Sequence, residues 1–142
     1  MSSTANEDSY SYFEHDADVG VIGRGDTLER AFEAAARATF AIMTDIATVR
    51  QAESVPVEFE ETDPELALVR WLNSLLGSAR EHGMVFGHFR IERDGGHWRG
   101  SASGEKWRPE LERGVEVKGA TLTALSVRQL AGGWDARCVV DV

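Results

Sequence analysis

Glu14-His15-Asp16-Ala17-Asp18-Val19-Gly20-Val21-Ile22-Gly23-Arg24-Gly25-Asp26 is the stretch on which the reading of this chain turns. Four ionisable side chains crowd the five positions from Glu14 to Asp18. They directly precede an apolar run, Val19 to Ile22, that has the make-up of a buried strand. Carboxylates packed at the mouth of a core repel one another, and burying them unpaired is costly, so a cation or a set of donors is expected beside them. A divalent metal ion is the simplest candidate. Taken singly, each residue has an ordinary explanation. An isolated Asp in a turn is usually solvated or caps nearby amides, and a lone His is more often a packed, hydrogen-bonded ring than a ligand. On an extended strand Asp16 and Asp18, two positions apart, would share a face.

Working outward, Tyr10 to Phe13 reads as a strand ahead of the acidic turn and Val19 to Arg24 as one behind it. A helix follows from Thr27 to about Met43. Asp26 is placed to cap it, Glu29 to reach back to the free amides, and Leu28, Ala31, Phe32, Ala35, Ile42 and Met43 form one face. Glu33 and Arg37 are expected on the opposite face. Ser54 to Glu61 alternates as a half-wet strand, and Pro56 puts it at a sheet edge. Asp63-Pro64-Glu65 is a helix start, with an apolar stripe from Leu68 to Ala79 and Gly83 as its stop. From Met84 onward strands take over. Val85 to Arg93 and His97 to Ser103 flank the hairpin signal Asp94-Gly95-Gly96. Gly104 to Gly114 reads as a charged loop, Val115 to Leu130 as one long strand, and Trp134 to Val142 as the last strand after Gly132-Gly133. The expected fold is α+β, two amphipathic helices packed on a mainly antiparallel sheet.

The whole chain of 142 residues has the size of one domain, with residues 1–11 expected as a frayed polar tail and 12–142 as the folded unit. Met1 to Ser11 lacks the basic and apolar segments of a signal peptide, no apolar run nears the length of a membrane span, and Cys138 is the single cysteine. A reducing cytoplasm is the expected location. Fifteen basic and 24 acidic residues give a net charge of −9, which disfavours direct binding to a phosphate backbone. The imbalance is confined to residues 1–66, with 4 basic and 15 acidic side chains, against 11 and 9 in residues 67–142. The chain closes on Val139-Val140-Asp141-Val142. There a side-chain carboxylate and the α-carboxylate form an oxygen donor pair suited to Ca²⁺, Mg²⁺ or Mn²⁺ and poorly to Zn²⁺, provided another acid approaches and the terminus is not frayed.

Several of these segments resemble the archease family. Glu14 to Gly20, Gly25-Asp26-Thr27-Leu28-Glu29 with Ala31-Phe32, and Met43-Thr44-Asp45 look like its opening. Gly104-Glu105-Lys106-Trp107, Glu116-Val117-Lys118-Gly119-Ala120-Thr121 and Val140-Asp141-Val142 follow in the family's order and spacing. The resemblance runs from about Tyr10 to Val142. It implies a small accessory protein, not an enzyme, that assists an RtcB-type RNA ligase in tRNA splicing and RNA repair. Such a protein speeds the ligase's guanylylation and allows multiple turnovers, meeting RNA only through the ligase. The family's metal site falls on Asp18, Asp141 and Val142, with Ca²⁺ expected ahead of Mg²⁺ or Mn²⁺, and Asp26 and Lys118 match further positions tied to ligase activation. Asp16 stands where the family usually has Thr, and Gly119 where Ala is commoner.

Three functional classes therefore stand at this point. In the first, acids from distant parts of the chain gather one cation, and the protein either delivers it or orders the ligase's guanylylation pocket, with Lys118 meeting phosphate as a point charge. In the second, a metal-dependent hydrolase, the same acids activate a water. The chain offers no dense His/Asp motif, no nucleophile with a nearby base and no glycine-rich phosphate loop for it. In the third, a chaperone-like interaction module, the acids only shape the surface charge.

Overall fold

The computed structural model describes residues 8–142, which form eight strands and two α-helices. Their order is β1 (Ser9–His15), β2 (Asp18–Gly25), α1 (Leu28–Ala41), β3 (Glu53–Glu60), α2 (Pro64–His82), β4 (Met84–Asp94), β5 (His97–Lys106), β6 (Gly119–Ala120), β7 (Ser126–Leu130) and β8 (Gly133–Asp141). A single 3-10 turn, Ile46–Thr48, links α1 to β3. All strand pairs are antiparallel and divide into two sheets. One runs β1-β2-β8-β6 with β7 also on β8, and the other runs β3-β5-β4. The α+β class expected from the sequence is the class observed, and Pro56 does lie on an edge strand, β3.

The helices fill the space between the sheets. In α1, ten of 14 residues are buried, among them Ala31, Ala34, Ala35 and Ala36. The short side chains let the helix press onto β2 at Gly23, where a Cβ would stand 2.3 Å from the Ala31 carbonyl and from the Ala35 nitrogen. Its buried arc is wider than the amphipathic pattern suggests, and Glu33 falls inside it. Instead of facing solvent, the Glu33 carboxylate accepts the Ile91 N–H at 3.0 Å and pairs with Arg30 at 3.1 Å. Arg30 Nη2 donates to the Ile91 carbonyl at 3.3 Å, so two side chains of α1 cover the open edge of β4. The α1 cap is Thr27, whose hydroxyl accepts the Arg30 N–H, one residue later than Asp26. Helix α2 begins as read, with Asp63 capping and Pro64 in the first turn, and ends on Gly83 in the left-handed conformation at φ 63°. Trp71 anchors it, fully buried, its indole N–H donating to the Phe32 carbonyl at 2.9 Å. Phe32 and Phe59 stack on Trp98, and Phe40 packs on Phe86 and Phe89.

The structure departs from the sequence reading in several places. Strand β1 begins at Ser9, so Ser9, Tyr10 and Ser11 pair with Arg24, Gly23 and Ile22, and residues 1–7 of the expected tail lie outside the described residues. Asp16 and Ala17 are the two-residue turn of the β1–β2 hairpin, with Asp16 at φ 52°. Asp16 therefore leaves the strand and does not share a face with Asp18. Gly104 to Lys106 continue β5 instead of opening a loop. Gly104 pairs with Phe86 so closely that a side chain there would meet the Val85 carbonyl. The long strand expected over Val115 to Leu130 is two short ones, β6 and β7, laid along the same edge of β8 and separated by an arch at Leu122 to Leu125.

Candidate functional site

The first hairpin and the last strand place the acidic residues. Strand β2 pairs with β8 in a register that sets Val19 against Val140, which brings Asp18 and Asp141, each one residue further out, to the same end of the sheet. The chain end is drawn into the same place: the Val142 N–H donates to Asp18 Oδ1 at 3.2 Å, across 124 positions of sequence. Asp18 is half-buried and Asp141 exposed. On the far side of β8, the Lys118 N–H donates to the Asp141 carbonyl at 2.8 Å, and Gly119 pairs with Asp141. The side chain of Asn73, on α2, holds β6 from behind, its amide donating to the Ala120 carbonyl at 3.2 Å and its oxygen accepting the Ala120 N–H at 2.8 Å.

Asp18, Asp141, Val142 and Lys118 are thus brought together, and Asp26 is not. Asp26 follows Gly25 at the opposite end of β2, roughly 25 Å away at the usual rise per strand residue, beside the Gly133 turn. Asp16 points away, its side chain 94% exposed. His15 pairs with Asp18 through its backbone, and its ring nitrogen is 3.9 Å from Asp16. Asn73 was not legible beforehand. A single Asn on a helix carries no periodic or spacing signal, and only the docking of β6 on α2 gives it a role.

The oxygen donors suit a hard divalent cation in type. Among the described residues, no group of three or more His, Cys, Asp and Glu side chains is gathered to hold a metal. Two side-chain carboxylates and the backbone oxygens of Val142 are therefore what this end of the sheet offers. Other chemistry-bearing groups serve the fold. Glu105 accepts the Arg50 N–H at 2.7 Å and Arg108 Nε at 2.8 Å, and the Arg108 guanidinium holds its carboxyl below the usual range. Lys106, read as loop charge, is a strand residue whose ammonium donates to the His82 carbonyl at 2.7 Å, at the negative end of α2. Burial pushes the Cys138 thiol up to about 12, so it stays protonated at neutral pH. A cavity of about 350 Å³ opens between the end of α2 and residues 107–117, with Leu76, Met84, Trp107 and Val117 in its wall and Arg113 over the Trp107 ring at 4.0 Å. No helix among the described residues is long and apolar enough to cross a membrane.

The family profile described as "Archease protein family (MTH1598/TM1083)" matches residues 10–142. The chain is 38% identical to Protein archease of Sulfolobus acidocaldarius, over 94% of its own length and 98% of the relative's, and 37% identical to that of Pyrococcus furiosus with the same coverage. Protein 1598 of Methanobacterium thermoautotrophicum, solved in solution, superposes with a TM-score of 0.80 at 31% identity, covering 94% of this chain and 99% of that one. The crystal structure of a Thermotoga maritima protein described as "an archease, possible chaperone" shares the fold, with a TM-score of 0.65 at 20% identity over 92% and 94% of the two chains.

Proposed function

This chain belongs to the archease family, and from that premise we propose that it is a cytoplasmic, non-enzymatic activator of an RtcB-type RNA ligase in tRNA splicing or RNA repair. The acting surface is the end of the sheet where Asp18, Asp141, Val142 and Lys118 meet. The observation that carries this reading is the Val142 N–H on Asp18 Oδ1, which ties Val142 to the first hairpin at the end of the sheet where Asp141 also stands.

In this reading Asp18, Asp141 and the Val142 backbone oxygens hold a divalent cation, Ca²⁺ ahead of Mg²⁺ or Mn²⁺. When bound, it offsets the repulsion between the two carboxylates and presents a positive centre. Asp18 has a second task, keeping the chain end in place through Oδ1. Lys118, exposed and fixed through its backbone to Asp141, offers a point charge to a phosphate group at the ligase's guanylylation pocket. Asp26, at the other end of β2, acts on a separate face if it acts on the ligase at all.

Asp18→Asn and Asp141→Asn keep shape and acceptor capacity while removing charge, so they separate the cation from the clasp. Calorimetric titration with CaCl₂ and MnCl₂ is expected to show one site in the native protein, weakened about tenfold or more in either variant. GMP transfer to a purified RtcB-type ligase is expected to fall in parallel, while the melting temperatures stay close to that of the native protein. Equal stimulation by all three proteins would remove the carboxylates from the mechanism, and no stimulation by the native protein would remove the ligase.

A further inference from the structure

The segment that carries Lys118 is backed by α2, and the backing is made of side chains instead of a further strand. We propose that Asn73 is the positioning residue for Lys118: its carboxamide takes the place of a neighbouring strand along β6 and so fixes the point from which the Lys118 ammonium reaches its target. The inference rests on the proposed action of Lys118 on a phosphate group at the ligase, and adds the residue through which α2 controls it.

Strand β6 consists of Gly119 and Ala120 alone and pairs only with β8. So short a strand holds little shape by itself. Its other edge meets Asn73, whose carboxamide donates to the Ala120 carbonyl at 3.2 Å and accepts the Ala120 N–H at 2.8 Å, the two bonds that a further strand would exchange with one residue. A Cβ on Gly119 would stand 3.3 Å from the same Asn73 oxygen, so the amide lies close against β6. Asn73 is itself exposed, although Trp71 and Leu72 beside it are fully buried. Among the described residues its side-chain hydrogen bonds go to Ala120 only, so the helix core does not depend on it.

A second hold from the same helix lies on the other side of Lys118. Arg80 Nη1 reaches the Val117 carbonyl at 3.5 Å, a long contact, and the Val117 side chain is buried. Asn73 and Arg80 are seven positions apart, two turns along one face of α2 and about 10.5 Å along its axis. Three steps of extended chain, from Val117 to Ala120, cover about 10 Å. The segment therefore runs beside α2 for two turns, antiparallel to it, with Lys118 between the two holds. On the β8 side the Lys118 N–H donates to the Asp141 carbonyl at 2.8 Å. The Lys118 backbone is thus fixed between α2 and β8 while its side chain stays exposed, which gives an ammonium on a flexible stem one origin. Removing the Asn73 carboxamide releases the closer of the two holds and leaves α2 intact.

The test combines Asn73→Ala with Lys118→Ala, singly and together, and titrates each protein against a purified RtcB-type ligase, reading the saturating rate of GMP transfer. Asn73→Ala is expected to lower the stimulated rate about tenfold in the native background and by less than about twofold where Lys118 is already alanine, because changes that act through one group do not add. All four proteins are expected to melt close together, since both side chains are exposed and alanine suits a helix. Hydrogen exchange by NMR is expected to show the Ala120 amide opening about tenfold faster in Asn73→Ala, with the amides of α2 unchanged. Full stimulation by Asn73→Ala, an equal loss in both backgrounds, a Lys118→Ala protein as active as the native one, or an Ala120 amide exchanging at the native rate each overturns the positioning role and leaves the ligase partnership standing. A native protein that does not stimulate overturns both.

Discussion

His97 shows how much a single ring can be set by its strand neighbours. It opposes Glu60 across β3 and β5, with Nδ1 on that carboxylate and Nε2 2.6 Å from Glu58. The hydrogen bond to Glu60 holds the imidazolium form, and the pKa is raised above the ordinary value of about 6.5. The stabilisation from protonated His97 is therefore fully present below about pH 6.5 and is lost as pH climbs through the raised value. Its size is small, because the ring is one-third exposed. An NMR titration is expected to place the His97 midpoint above 6.5 in the native protein and nearer to it in Glu60→Gln, and a native midpoint at or below 6.5 contradicts the pairing. At the same scale, Asp16 and Asp18 mark where sequence reading ran out. Period-two logic puts both on one face, but a two-residue hairpin at Asp16-Ala17 ends the alternation between them. The sequence reads as a turn between two strands, and it is one, but without an Asn-Gly or Asp-Gly pair nothing marks Asp16 and Ala17 as its two central residues.

Among the elements, α1 depends most on a residue it does not contain. Gly23 lets the helix backbone lie against β2, and a methyl group there has no side-chain end to displace, only the Ala31 carbonyl and the Ala35 backbone. Gly23→Ala is expected to cost on the order of 3 kcal/mol, the upper range for overpacking. That is a drop of roughly 10 °C in melting temperature for a domain of this size, and an unchanged melt would mean that the helix can slide on the sheet. Both helices and most strands were readable from capping residues and periodicity, because those signals are local. The misread elements are the ones whose reasons are tertiary. Gly104 looks like a loop residue and is a strand residue paired on both sides, with Glu53 and Phe86. Glu33 looks like a surface acid and saturates the open edge of β4. Residues 115–130 look like one strand because Thr and Val abound, and they are broken by the arch that β8 clamps. The candidate site was legible only in part. The residue types at Asp18 and Asp141 suggested a cation, but their convergence and the Asn73 brace come from pairing between segments far apart in sequence.

The molecule as a whole is tied together by β8. This last strand lies between β2, from the first hairpin, and the β6–β7 edge, so the first sheet cannot form until both ends of the chain have met. The second sheet, β3-β5-β4, comes from the middle of the chain and could in principle stand alone, yet α1 covers its β4 edge with Arg30 and Glu33 while packing on β2 with its opposite side. Neither sheet has a complete core without α1, and Trp71 on α2 is pinned to Phe32 on α1. This sharing predicts one cooperative unfolding unit. Trp71 and Trp98 report on the α2 side of the core and Trp134 on β8, so tryptophan fluorescence samples both sheets, while far-ultraviolet circular dichroism reports all the secondary structure. In a urea titration the two probes are expected to give the same midpoint and slope. A separate early transition in fluorescence would mean that the first sheet opens on its own, and the Asp18, Asp141 and Val142 arrangement would then come apart before the rest of the protein unfolds.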